Sequence, residues 1–224
     1  MKTYNGFSNI SQKFLLDLAN NNNREWFAEN KHIYKDYVES ESIQLFAAVA
    51  DTMQLIDPSF EIEPKPAKVL SRIYRDIRFS KDKTPYRTNI WFSFKRSGRE
   101  WKEYPAYFFE LSANSYSYGM GYYEANKNTM DRLRLEIEEN PEAVFSMMDN
   151  LVRNTKFQIE GDKYKKILNP NIDERLAALY QSKNIYLICT TELSDYAETK
   201  DLDMELQEQF LMTTEFYQFL NRLI

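Results

Sequence analysis

The chain has 224 residues, 43% of them hydrophobic and 15% aromatic, with sixteen tyrosines and fifteen phenylalanines but only five glycines. A chain of this size buries roughly 70–75% of the surface its unfolded form exposes, so a packed core is expected and a disordered polymer is excluded. The net charge of −5 argues against general affinity for nucleic acid or anionic lipid, and the single cysteine, Cys189, excludes an internal disulfide and fits a reducing cytoplasm.

The first residues lead into no long apolar run, so neither a signal peptide nor a membrane span is expected. From Ser8 to Ala19 the spacing of Ile10, Phe14, Leu15 and Leu18 predicts a short helix with Ser8 as its cap. The run Asn20 to Asn23 supplies a corner, and Asn22 with Glu25 resembles a capping box that opens a long second helix. Ile33, Tyr34, Tyr37, Leu45, Ala48, Val49 and Met53 continue the apolar stripe of that helix. Asp57-Pro58, Pro64 and Pro66 end it in a connection. Ala67 to Ile73 fits a strand or a helix, and the nearby prolines favour a strand ending near Ile73.

Asn89 to Lys95 alternates, with Ile90, Phe92 and Phe94 on one face and Asn89, Trp91, Ser93 and Lys95 on the other. A charged turn around Gly98 leads to a second strand, Ala106 to Ser112, and a third, Ser115 to Tyr122. On the third strand Ser115, Ser117, Gly119 and Gly121 leave one face nearly bare, which admits a helix, another backbone or a ligand. Helices follow at Asn126 to Glu139 and from Pro141 to about Leu151, with Phe157 to Asn171 irregular. A short helix at Asp173 to Gln181, a buried strand at Ile185 to Thr190 and a closing helix from about Asp203 to Leu223 complete the chain. This order predicts a single α+β domain spanning residues 1–224, with a central, mainly antiparallel sheet packed by N-terminal and C-terminal helices.

The chemistry available is restricted. His32 is the only histidine, so zinc sites and Cys/His catalysis, which need several such residues, are not expected. No Gly-x-Ser-x-Gly elbow, Walker Gly-Lys or complete dinucleotide fingerprint occurs. No metal site is expected, and neither a catalytic residue nor a cofactor can be named.

What stands out is Ser71 to Arg87, where Arg72, Arg75, Arg78, Lys81, Lys83 and Arg87 face only Asp76 and Asp82, a local charge of +4 that leaves about −9 for the rest. The stretch holds no glycine, so any anion would be gripped by side chains rather than by a backbone nest, and guanidinium forks suit phosphate and carboxylate. The alternative is that the arginines pair with Asp76, Asp82, Glu110 or other carboxylates and organise a loop.

The segments Asn21 to Phe27, Asn30-Lys31 and Arg72 to Thr88, the last reading R-I-Y-R-D-I-R-F-S-K-D-K-T-P-Y-R-T, resemble the hallmark of a family of conserved hypothetical proteins, domain of unknown function 2461. The resemblance implies one compact α+β domain, no established activity, and a corner at Asn-Arg-Glu-Trp-Phe that belongs with the Arg-Asp loop. It suggests that Arg24 or Trp26 borders the same pocket as the loop cations.

The leading expectation is a domain that binds a small anionic ligand, phosphate- or carboxylate-bearing, through Arg72, Arg75, Arg78, Lys81 and Lys83, with Tyr86 and Arg24 completing the set. Asp76 and Asp82 would orient those cations or, as further alternatives, hold Mg²⁺ or act as general base. The second reading is an interaction or scaffold protein whose loop is an internal ion-pair clasp. The third is nucleic-acid binding extended by Lys95, Arg96, Arg99 and Lys102, which the acidic remainder disfavours. Enzyme status and oligomeric state stay open.

Overall fold

The computed structural model describes residues 3–78 and 80–224, apart from the side chains of Arg99 and Glu100. Its elements follow the order α1 (Asn9–Asn20), α2 (Arg24–Ile33), a π-helical segment (Tyr34–Glu39), α3 (Ser40–Ile56), α4 (Pro66–Val69), β1 (Asn89–Phe94), β2 (Pro105–Ser112), β3 (Ser115–Tyr122), α5 (Lys127–Glu139), α6 (Pro141–Asn154), β4 (Gln158–Glu160), α7 (Glu174–Tyr180), β5 (Tyr186–Glu192), α8 (Leu202–Met212) and α9 (Thr214–Arg222). Short 3₁₀ turns occupy Arg99–Glu103 and Tyr196–Thr199. The strands form one antiparallel sheet in the order β1-β2-β3-β5-β4 with flanking helices, the expected α+β class. Two compact units share the chain. One takes the residues up to Phe94 with Phe108–Tyr118 and Thr190–Gln207; the other takes Lys95–Tyr107, Gly119–Cys189 and Glu208–Ile224.

In the first unit Ser8 caps α1 by accepting from the Ser11 N–H, and Phe14, Leu15 and Leu18 turn inward, while Ile10 in the first turn stays exposed. The N-cap of α2 is Asn23, not Asn22: its Oδ1 accepts from the Trp26 N–H at 2.9 Å. Backbone dihedrals remain right-handed helical through both junctions of the π segment, so α2 and α3 are one rod with a local widening. That widening shifts the inward stripe, and Tyr34 and Val38 are buried whereas Tyr37 is not. The α3 stripe then meets β1, whose alternation is as expected: Phe46 stacks on Phe94 at 4.3 Å and meets Phe92 edge-on at 5.4 Å. Burying each such ring stabilises the fold by roughly 1.5–3 kcal/mol.

The expected strand at Ala67 to Ile73 is instead the single helical turn α4 followed by extended residues. Pro66 starts that turn, where a missing N–H costs nothing, and the Leu70 N–H closes it onto the Pro66 carbonyl at 3.0 Å. Extended pairing survives only as isolated antiparallel bridges, Leu70 with Phe92 and Tyr74 with Tyr86.

In the second unit Asn126 caps α5 and Asp173 caps α7 through their side chains. Arg134 of α5 donates to the carbonyls of Tyr180 and Ser182, which ties α5 to the end of α7. The segment expected to be irregular contains β4, which pairs with β5 through Gln158–Ile188, Ile159–Leu187 and Glu160–Tyr186. Three exposed residues carry no alternation from which that edge strand could be read. Part of the bare face of β3 is explained by close backbone approach: a Cβ on Gly121 would lie 2.4–2.6 Å from Tyr186 and the Ile185 carbonyl. The closing helix is broken at Thr213, whose hydroxyl donates to the Phe210 carbonyl at 2.8 Å and bonds the Tyr107 hydroxyl at 2.9 Å. A side chain that competes for backbone carbonyls bends or ends a helix, and the apolar residues Phe210, Tyr217 and Leu220 on either side of the break are all buried.

Candidate functional site: an arginine-lined groove

The basic stretch lies wholly in the first unit and folds as an irregular hairpin. Between its two bridges one arm has three residues, Ser71 to Ile73, and the other has five, Arg87 to Trp91, so the second arm bulges. The Arg87 N–H donates to the Ile73 carbonyl at 2.8 Å and the Ser71 N–H to the Trp91 carbonyl at 2.7 Å. The Trp91 N–H turns to the Ser71 hydroxyl at 3.1 Å. The bulge lies between these bonds, and Arg72, Arg87 and Trp91 flank it. These three, with Tyr74, Arg75, Asp76 and Arg78, line an open groove of about 390 Å³.

The tip beyond Tyr74 is closed by its own polar side chains. Asp76 accepts from Nε and Nη2 of Arg78 at 2.9 and 2.6 Å and from the Arg78 N–H at 3.2 Å. Asp82 accepts from the N–H and hydroxyl of Thr84 at 2.9 and 2.8 Å and pairs with Nη1 of Arg75 at 2.6 Å. Lys83 donates to the Ile77 carbonyl at 2.8 Å. Asx-type turns of this kind hold a tip that has no glycine.

The hairpin is moored to the helical corner by two devices. The Asn22 amide donates to the Tyr86 carbonyl at 2.9 Å and accepts from the Tyr86 N–H at 3.0 Å, a backbone-like pair made by a side chain. Tyr86 is buried and stacks on Phe27 at 4.1 Å. The Asn-Arg-Glu-Trp-Phe corner and the Arg-Asp loop are thus in contact, and Asn22 is the residue that joins them. Trp26 packs on Phe14 at 5.5 Å. Arg24 is exposed at the start of α2, and burial raises the pKa of the Tyr86 hydroxyl, an effect that the charge of Arg24 partly offsets.

Of the residues expected to form the site, the groove brings together Arg72, Arg75, Asp76 and Arg78. Asp82 and Lys83 brace the tip, Lys81 is exposed on it, and Tyr86 belongs to the aromatic anchor. Three lining residues escaped the sequence reading as site members: Tyr74, Arg87 and Trp91. A signal for two of them existed, since Arg87 and Trp91 share parity on an extended arm and Trp91 sits on the otherwise polar face of β1. The guanidinium of Arg87 lies 4.6 Å over the Trp91 ring.

The charges of the groove are unequal. The Arg78 side chain and backbone N–H, with Arg87 at longer range, hold the Asp76 carboxyl down at about 2. The Thr84 N–H and hydroxyl, with Arg75, depress Asp82 as well. Among the described residues Arg72 and Arg87 have no carboxylate within ion-pair distance, and Nε of Arg75 is buried without a hydrogen-bond partner. A buried donor left unpaired is a rare feature that calls for an explanation.

A protein-family model described as "Conserved hypothetical protein (DUF2461)" matches residues 11–219. The chain belongs to this family. The match spans the Asn22 corner, the hairpin and nearly all of the sheet and helices. No curated protein matches the chain. The description of DUF2461 names no activity. The other basic segment is differently disposed: in the second unit Lys95 lies 4.0 Å over Trp101, Arg96 lies 4.3 Å over Tyr104, and Lys102 pairs with Glu124 at 3.2 Å, while the Arg99 side chain lies outside the described residues.

Proposed function

We propose that the protein binds a small anionic ligand, phosphate-bearing for preference, in the groove between the hairpin arms. The observation that carries this reading is the excess of guanidinium over carboxylate: four arginines and one aspartate line the groove, and Arg72 and Arg87 have no acidic partner among the described residues. Arg72 and Arg87 then grip the anion, and the pairs Arg75–Asp82 and Arg78–Asp76 hold the tip in place. The clasp and the binding site are two layers of one loop on this reading. No reaction is assigned. Among the described residues no helix is long and apolar enough to cross a membrane, and the buried free thiol of Cys189 fits the reducing cytoplasm in which we place the chain.

The test is a thermal-shift panel of inorganic phosphate, sugar phosphates, nucleotides and polycarboxylates against the whole chain. An anion at a hundredfold excess over its Kd should stabilise the fold by about 2.7 kcal/mol. A second reading, the internal clasp alone, is favoured by the two short ion pairs at the tip. It gains the field if no anion raises the melting temperature while Arg75→Ala or Asp82→Ala lowers it.

A further inference from the structure

We infer that the ligand of the groove joins an aromatic ring to its phosphate, which makes a nucleoside phosphate the class that fits; this rests on the anion-binding reading. A bare phosphate needs only cations, yet two of the lining residues are aromatic and one is acidic. Tyr74 is 57% exposed, although its backbone is fixed by the bridge to Tyr86 and its ring is held by Tyr86 at 5.4 Å and Phe27 at 6.2 Å. It is a ring packed at an angle against Phe27 and Tyr86, with most of its surface left open. Such a platform binds a planar base with little ordering cost, and base–aromatic stacking is tolerant of base identity.

The other lining groups complete the same ligand. Arg87, seated over Trp91, has its guanidinium plane set by the indole, so its donors are oriented before an anion arrives. Asp76 repels a free phosphate but accepts from a sugar hydroxyl or an exocyclic amine, since its Oδ2 retains a lone pair beyond those used by Arg78. The groove, at about 390 Å³, lies within the range of about 300–1,000 Å³ usual for small-molecule sites and exceeds what a phosphate ion alone would fill.

Isothermal titration of the whole chain with inorganic phosphate, ribose 5-phosphate, adenosine and adenosine 5′-monophosphate decides the matter. The monophosphate should bind about tenfold or more tighter than ribose 5-phosphate. Tyr74→Leu should erase that difference while leaving ribose 5-phosphate unchanged, and Tyr74→Phe should preserve it, which separates loss of stacking from misfolding. Arg72→Ala with Arg87→Ala should weaken both phosphates alike. Equal affinity for the two phosphates with a silent Tyr74→Leu overturns the aromatic assignment and leaves anion binding standing. No heat with any phosphate overturns both. Binding of adenosine as tight as its monophosphate contradicts the role given to the arginines. A single-stranded oligonucleotide binding much tighter than the monophosphate, with affinity collapsing in salt, replaces the small ligand by a nucleic acid.

Discussion

Two arginine-bearing ion-pair sites in this molecule differ in kind. In the second unit Arg175 of α7 meets both Asp173 and Glu142, and its guanidinium lies 4.2 Å over Phe145. Two carboxylates enclose one cation, Asp173 is depressed below its usual range by Arg175, and Arg175 is pushed higher still. The cleft beside it, about 280 Å³, is walled mainly by apolar side chains such as Met148, Val152, Leu176 and Leu179. In the hairpin the ratio is reversed, with Arg72 and Arg87 left over after Asp76 and Asp82 have taken their partners. A cluster of arginines is a candidate binding site only where guanidinium outnumbers carboxylate among the groups that meet in space.

The comparison can be broken first at the anchor. Phe27→Ala removes the ring on which Tyr86 stacks, and a loss of about 3–5 kcal/mol is expected from urea unfolding; a loss under 1 kcal/mol would mean that the hairpin does not depend on the helical corner. Asn22→Ala deletes both hydrogen bonds to the Tyr86 backbone and is expected to cost about 1–3 kcal/mol. An equal cost for Asn23→Ala would place the key function of the corner at the helix cap instead.

Acid titration probes both sites together. Asp76, Asp82 and Asp173 are depressed in the folded chain, so each contributes stability that is present above its unfolded pKa of about 3.9 and is lost as the pH falls through the folded value. For Asp76 that window runs from about 4 down to about 2. The melting temperature should be insensitive to these groups between neutrality and pH 5 and fall below it, whereas NMR titration of the Asp76 carboxyl near pH 4 would contradict its pairing with Arg78. The smallest effect is expected from Arg175→Ala, which should leave any phosphate-induced shift in melting temperature unaltered, because that guanidinium has no unmatched charge to offer.

Much of the scaffold was legible in the chain because its signals are local. The alternation of Ile90, Phe92 and Phe94, the cap at Ser8 and the proline opening α6 each act within a few residues. Other features depend on partners far away in sequence. Asn22 and Asn23 are chemically alike, and only the tertiary demand of Tyr86 assigns one to the hairpin and the other to the helix. Thr213 ends α8 partly through Tyr107, more than a hundred residues distant. At the site, the charge of Ser71 to Arg87 marked the place and the parity of Arg87 and Trp91 was available, but the bulge between those two residues arises from the mismatch of two arms and could not be read from either.

The most direct measurement is a calorimetric titration of inorganic phosphate into the natural chain and into Arg72→Ala/Arg87→Ala, with circular dichroism to confirm that both are folded. Binding at one site per chain, weakened at least tenfold by the double substitution and not by Arg175→Ala, is the result expected of a surplus-arginine site. Equal binding by both chains, or none by the natural one, would contradict it.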